Sequence, residues 1–150
     1  MKYLLDSDII TFLYDNERKD YHDAVHRKIS QLNDGDELCV SVLALHELEY
    51  SFCNAPDDKK ERIRQMITSI LTDFDAILPI NTETAPIFGK LKADLKRMKN
   101  LTRKEMRKHN IDLMLASTAI HFSSILVGVD AIYRDIARLH EQFRIENWLE

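Results

Sequence analysis

The chain has 150 residues, of which 45% are hydrophobic and 31% charged, with a formal net charge of −4; this is the size and balance of one folded domain over 1–150 and excludes a disordered chain. Only three glycines occur, Gly35, Gly89 and Gly128, and they lie far apart. Phosphate-cradling loops of the P-loop or GxGxxG kind need clustered glycine and are therefore excluded. Cys39 and Cys53 form no CxxC pair and stand among apolar residues. Both are expected as buried thiols of a reducing compartment.

In chain order, KYLL at 2–5 is a short apolar strand whose run breaks at Asp6, too early for an export signal. Residues 8–14 read as a short helix, and 20–32 as a helix with an apolar stripe at Ala24, Val25, Ile29 and Leu32. Asn33 to Asp36 is a turn cluster, ELCVS at 37–41 a second strand, and Ser41 is placed to cap a helix over 42–54. Pro56 and Asp57-Asp58 open a helix to about Thr72, with Ile63, Met66, Ile67 and Ile70 inward. AILPI at 76–80 is a third strand, and 82–98 an amphipathic helix.

A polar segment follows at 99–109, and Asn110 is placed to cap a helix from Ile111 to about Phe122. Residues 113–129 contain no Asp, Glu, Lys or Arg, but His121 and four hydroxyl residues interrupt them, so they read as a buried helix running into a fourth strand at 125–129. Residues 131–140 are helical and 143–148 form a fifth strand. Short apolar strands alternating with amphipathic helices predict an α/β fold: a central parallel five-stranded sheet with helices on both faces. No membrane span is expected, and the chain is expected in the cytoplasm.

Charge is unevenly spread. From Lys90 to His109, nine Lys and Arg stand against Asp94 and Glu105, a band of +7 that leaves −11 on the rest. Such a band is either a polyanion-facing region or a solvated helix face; Lys104, Arg107 and Lys108 are its candidate polyanion contacts. Among the acids, Asp6 ends the first strand, Asp130 ends the fourth, Asp112 sits in the first turn of an uncharged helix, and Glu47 lies inside SVLALHELEY after strand two. In parallel sheets, sites form beyond the carboxyl ends of strands. Four converging carboxylates must be relieved by protonation or by a cation, and an all-oxygen set favours Mg²⁺ or Mn²⁺. Such a site activates water and stabilises the leaving oxygen in phosphodiester hydrolysis.

The segments YLLDSDII at 3–10, SVLALHELEYS at 41–51, NIDLMLASTAI at 110–120, LVGVDAIYRDI at 126–136 and the closing IENW at 145–148 resemble the PIN-domain ribonucleases and, within them, the VapC toxins. The resemblance implies a three-layer PIN fold and a metal-dependent endoribonuclease. It places the catalytic and metal-binding acids on Asp6, Glu47, Asp112 and Asp130, with Ser7 in support. It further implies Mg²⁺ or Mn²⁺, an RNA substrate, a homodimer and a cognate VapB-type antitoxin that blocks the site. The chain departs from the pattern at Asp8, where Asn is usual, and at Gly128-Val129, where Thr-Asn commonly precedes the fourth acid. Asp135 is then a substitute ligand or a solvent-facing residue. Glu49 points to the other side of its helix.

Two alternatives stand beside this reading. In a haloacid-dehalogenase phosphohydrolase, the DSD at 6–8 would make Asp6 the nucleophile and Asp8 the general acid. In a PIN fold that only binds a partner, the acids would be silent. HDAVH at 22–26 resembles HExxH spacing but lacks its Glu, so His22 and His26 read as an exposed pair. His46 is expected as a partly buried structural residue or an orienting one, and His109 as a phosphate contact. No GxSxG elbow occurs.

Overall fold

The computed structural model describes residues 1–150. Its elements run β1 (Lys2–Leu5), α1 (Ser7–Tyr14), α2 (Lys19–Ser30), β2 (Glu37–Ser41), α3 (Val42–Asn54), α4 (Asp57–Asp73), β3 (Ala76–Leu78), α5 (Thr84–Lys99), α6 (Arg103–Arg107), α7 (Asn110–His121), β4 (Ser124–Val127), α8 (Ile132–Leu139) and β5 (Arg144–Glu146). The sheet is parallel throughout and ordered β3-β2-β1-β4-β5. β1 is central: Leu5 pairs with Val40 on one side and Val127 on the other. The chain runs outward through β2 and β3, then crosses to build β4 and β5. The strand order therefore reverses between β1 and β4, and a crevice opens at their carboxyl ends.

The two-residue period of the strands divides the core. Leu4, Cys39 and Leu126 face a cluster with Leu91 and Leu95 of α5, Leu113 and Ala116 of α7, and Tyr133 and Ile136 of α8. Leu5, Leu38, Val40 and Val127 face the opposite cluster with Ile9 and Leu13 of α1, Val25 of α2, Ala44 of α3 and Ile70 of α4. The three-layer α/β architecture predicted from the alternation is thus the one observed, with α1–α4 on one face and α5–α8 on the other.

Local chemistry fixes several ends. The Ser41 hydroxyl accepts the Leu43 N–H at 3.1 Å and caps α3, as its position predicts. α5 ends at Asn100, whose left-handed φ of 50° suits an Asn side chain. No helix is long and apolar enough to cross a membrane.

Five expectations are corrected. β3 stops at Leu78, not at 80, because Pro79 has no N–H for a ladder. β4 spans Ser124–Val127 instead of 125–129, since Gly128 makes its last bond to the Glu146 carbonyl at 3.1 Å and the chain then leaves the sheet. The polar segment 99–109 contains α6, started by a capping box in which Thr102 and Glu105 bond each other's backbone. His109, not Asn110, occupies the N-cap of α7, and the Asn110 Oδ1 is buried without a hydrogen-bond partner. Cys39 is buried and its thiol pKa is pushed up to about 11 by burial, but Cys53 is exposed.

Candidate active site

The crevice between β1 and β4 gathers the four acids. Asp6 leaves β1 directly into α1 and is buried; its Oδ1 accepts the Ser7 N–H at 2.7 Å and so caps the helix. Glu47, on α3, is reached through Ser7, whose hydroxyl lies 3.3 Å from Glu47 Oε2 and 3.4 Å from Asp6 Oδ1. Asp112 stands in the first turn of α7 and Asp130 in the loop after β4, where its Oδ1 accepts the Ile132 N–H at 3.1 Å. Asp130 and its neighbour Val129 are exposed, because β4 has already ended.

The charges of the other three acids act on Asp112. Burial first, then the charges of Asp130, Asp6 and Glu47, push the Asp112 carboxyl up to about 6. Asp6 is likewise raised, chiefly by burial and against the pull of hydrogen bonds from Tyr133 and Ser7, with Asp8 adding a repulsive charge. None of the four acids is paired with Lys or Arg. The pocket therefore carries clustered, partly desolvated negative charge with no resident counter-charge.

That donor chemistry fits a hard divalent cation. As the side chains stand, no three His, Cys, Asp or Glu groups are close enough to share one ion. A hydroxyl intervenes: Tyr133 on α8 donates to Asp6 Oδ2 at 2.8 Å and lies 3.2 Å from Asp112 Oδ1. Side-chain closure by the acids is thus required for an ion held by three of them. Beside Glu47, a groove of about 150 Å³ opens between α1 and α3, lined by Ser7, Ile10, Thr11, Ala44, Glu47 and Leu48 among others.

Other candidates fall elsewhere. Asp8 is exposed on α1. Asp135 neither joins the acids nor faces open solvent: Lys99 Nζ sits 2.7 Å from it and Arg138 3.8 Å, leaving its side chain 19% exposed. Glu49 points away, held by both Arg64 amines at 2.9 Å. His22 and His26 are not a free pair; each ring bonds a carbonyl at the end of α1, Phe12 and Leu13, at 2.9 Å. His46 is exposed and bonds its own helix at Val42.

In the basic band, Lys90 and Arg97 share Asp94, and Lys99 pairs with Asp135. Lys104, Arg107 and Lys108 remain exposed on and just after α6, the helix that precedes α7 and its Asp112. His109 lies between the band and the acids: burial and the charges of Lys108 and Lys99 lower its pKa, while Asp130 and Asp135 oppose them.

Tyr133 was not legible from the sequence as a site residue. Its signal is positional, three residues after Asp130 in the first turn of α8, where a long side chain turns back toward the strand ends.

Residues 3–139 match the PIN domain family. No curated protein sequence matches the chain. Solved structures do: VapBC-1 from nontypeable Haemophilus influenzae, at 21% identity and TM-score 0.76 over 100% of both chains; FitAcB from Neisseria gonorrhoeae, at 19% and 0.75 over 97% of both; and VapBC-5 from Mycobacterium tuberculosis, a member of the VapBC family of toxin–antitoxin systems, at 16% and 0.65 over 97% of this chain and 98% of that one. With the match spanning all but the ends of the chain, this chain belongs to the PIN domain family.

Proposed function

We propose that the chain is a divalent-cation-dependent endoribonuclease of the VapC toxin type, restrained by a cognate antitoxin. The observation that carries the reading is a chain of acids without a basic partner: Ser7 links Asp6 to Glu47 and Tyr133 links Asp6 to Asp112, with the charge of Asp130 acting on Asp112. These four would hold Mg²⁺ or Mn²⁺, directly or through water, with Ser7 fixing Asp6 and Glu47. A bound divalent cation supplies an activated water and neutralises charge developing on a phosphate. The chain's own residues do the rest: the acids orient, Ser7 and Tyr133 position the acids, and Lys104, Arg107 and Lys108 draw the RNA backbone toward the pocket. PIN membership sets aside the haloacid-dehalogenase alternative, and exposed Asp8 has no partner that would make it a general acid.

The partner follows from the same chemistry. An acidic pocket on an acidic body is complementary to a basic segment, and an Arg reaching the carboxylates would supply the missing counter-charge. The toxin–antitoxin pairing of the structural neighbours supports this assignment.

The test is cleavage of RNA by metal-stripped protein, with Mg²⁺ or Mn²⁺ restored. Cleavage that appears with the cation and stops with EDTA is expected; no cleavage under any cation would favour a silent binding module.

The basic cluster makes a separate prediction. If α6 grips RNA, log K should fall with log salt by about 0.7 per phosphate neutralised on a single strand. Replacing Lys104, Arg107 and Lys108 together by Ala should weaken binding and flatten that slope, as read by fluorescence anisotropy across a salt series. An unchanged slope would return α6 to solvated surface.

A further inference from the structure

We propose that Tyr133 is a positioning residue of the acid site: its hydroxyl ties Asp6 to Asp112 and keeps the pair together for the side-chain closure that a cation requires, and Gly128 makes room for its ring. This rests on the divalent-cation reading above.

Tyr133 is only 1% exposed and belongs to the core with Ile132, Ile136 and Phe143. Its ring cannot drift, so the hydroxyl has a place fixed by packing. That place is between two carboxylates from different elements, 2.8 Å from Asp6 Oδ2 and 3.2 Å from Asp112 Oδ1. A phenol has one proton to give, so the two acceptors compete for it. Asp6 has a second anchor in the Ser7 N–H, whereas Tyr133 is the single hydrogen-bond partner of the Asp112 side chain. Without the hydroxyl, the Asp112 carboxylate is free to turn away from Asp6, driven by the repulsion between them. With it, the two acids are tied at one point while Asp112 Oδ2 stays without a bond.

The ring also explains a departure in the sequence. A Cβ at Gly128 would stand 2.9 Å from Tyr133 Cε2, closer than real Cβ contacts come, with Cδ2 tight at 3.2 Å and Asp6 Cβ at 3.4 Å. Those atoms are ring carbons locked in a core, not the end of a flexible chain. The Thr common at this position in relatives would collide with them. Gly128 and Tyr133 are therefore one device: the missing side chain before the fourth acid leaves the space in which the phenol reaches Asp6 and Asp112.

The experiment titrates Mn²⁺ into metal-stripped protein and follows the free-ion electron paramagnetic resonance signal for wild type, Tyr133→Phe and Gly128→Ala, with thermal melting as the folding control. Removing a group that orients a metal ligand typically weakens metal binding by about 10–100-fold, and that loss is expected for Tyr133→Phe with the fold retained. Gly128→Ala, which displaces the ring without removing the hydroxyl, should weaken binding in the same direction. If Gly128→Ala fails to fold, Tyr133→Phe decides alone. Wild-type binding with unchanged affinity in Tyr133→Phe overturns the proposal and leaves the nuclease reading standing. Tighter binding in Tyr133→Phe also overturns it, by showing the hydroxyl to be a plug. If wild type itself binds no Mn²⁺, the cation reading falls and this inference with it.

Discussion

Asp112→Asn should lose RNA cleavage and, in the metal-free protein, gain stability above pH 6. The first effect follows from removing a charge that the cation needs. Charge stabilisation by a metal amounts to several kcal/mol, and about 1.4 kcal/mol is tenfold in rate, so a loss of about 10²–10⁴-fold is expected. Asp6→Asn should behave alike. The second effect has the opposite sign because the carboxylate is held against its preference. Asp112 titrates at about 6 in the folded chain against an ordinary 3.8, so folding favours its protonated form. Its contribution to stability is fully present below pH ~4 and is lost as pH rises through about 6. A shift of that size is worth ~3 kcal/mol in a fully buried group. Asp112 is half-buried, so about 1–2 kcal/mol remains after solvent screening.

Asn carries no such penalty and still offers an oxygen to Tyr133. His109 contributes with the reverse sign, since a lowered pKa makes stability fall as pH drops below the imidazole's ordinary value. His109 is present in both proteins, so the difference between wild type and Asp112→Asn reads chiefly the acid. Urea melts of both proteins at pH 5 and pH 8 with EDTA present would read it. Equal stability differences at the two pH values would contradict the account of a repulsive pocket.

Expression of the wild-type chain without a partner should arrest growth of the host cell, and Asp112→Asn should lift the arrest. Co-expression of a small basic protein encoded beside this chain should restore growth and co-purify with it. The physical basis is the unbalanced pocket: a nuclease whose acids lack a counter-charge is inhibited most directly by a partner that brings one. Harmless expression of protein that cleaves RNA in the test tube would contradict the toxin assignment.

The sequence is legible where a residue's role depends on its own segment. β1 and β2 are apolar runs with fixed ends, Ser41 sits one step before a helical stripe, and both are found as the pattern predicts. Asp6 and Asp112 are conspicuous because each is a charge at the end of an apolar element. α6 was in principle readable, since Thr102 and Glu105 form a capping box, but the surrounding charge hides the one buried residue, Met106. Roles that depend on what another element brings are not readable. Asp135 looks like a spare ligand until Lys99 arrives from α5 to cover it. Cys53 looks buried from its neighbours but lies on the outer side of α3. Tyr133 looks like core, and its ring is core; only the packing of α8 against α5 and α7 carries its hydroxyl to the acids.

The most direct test of the central claim is an anomalous difference map from a crystal soaked in Mn²⁺. The account predicts a peak in contact with Asp6 and Asp112, with Asp130 and Glu47 reaching it directly or through water. A structure in Mn²⁺ with no peak at these acids, or with its peaks only elsewhere on the surface, would contradict it.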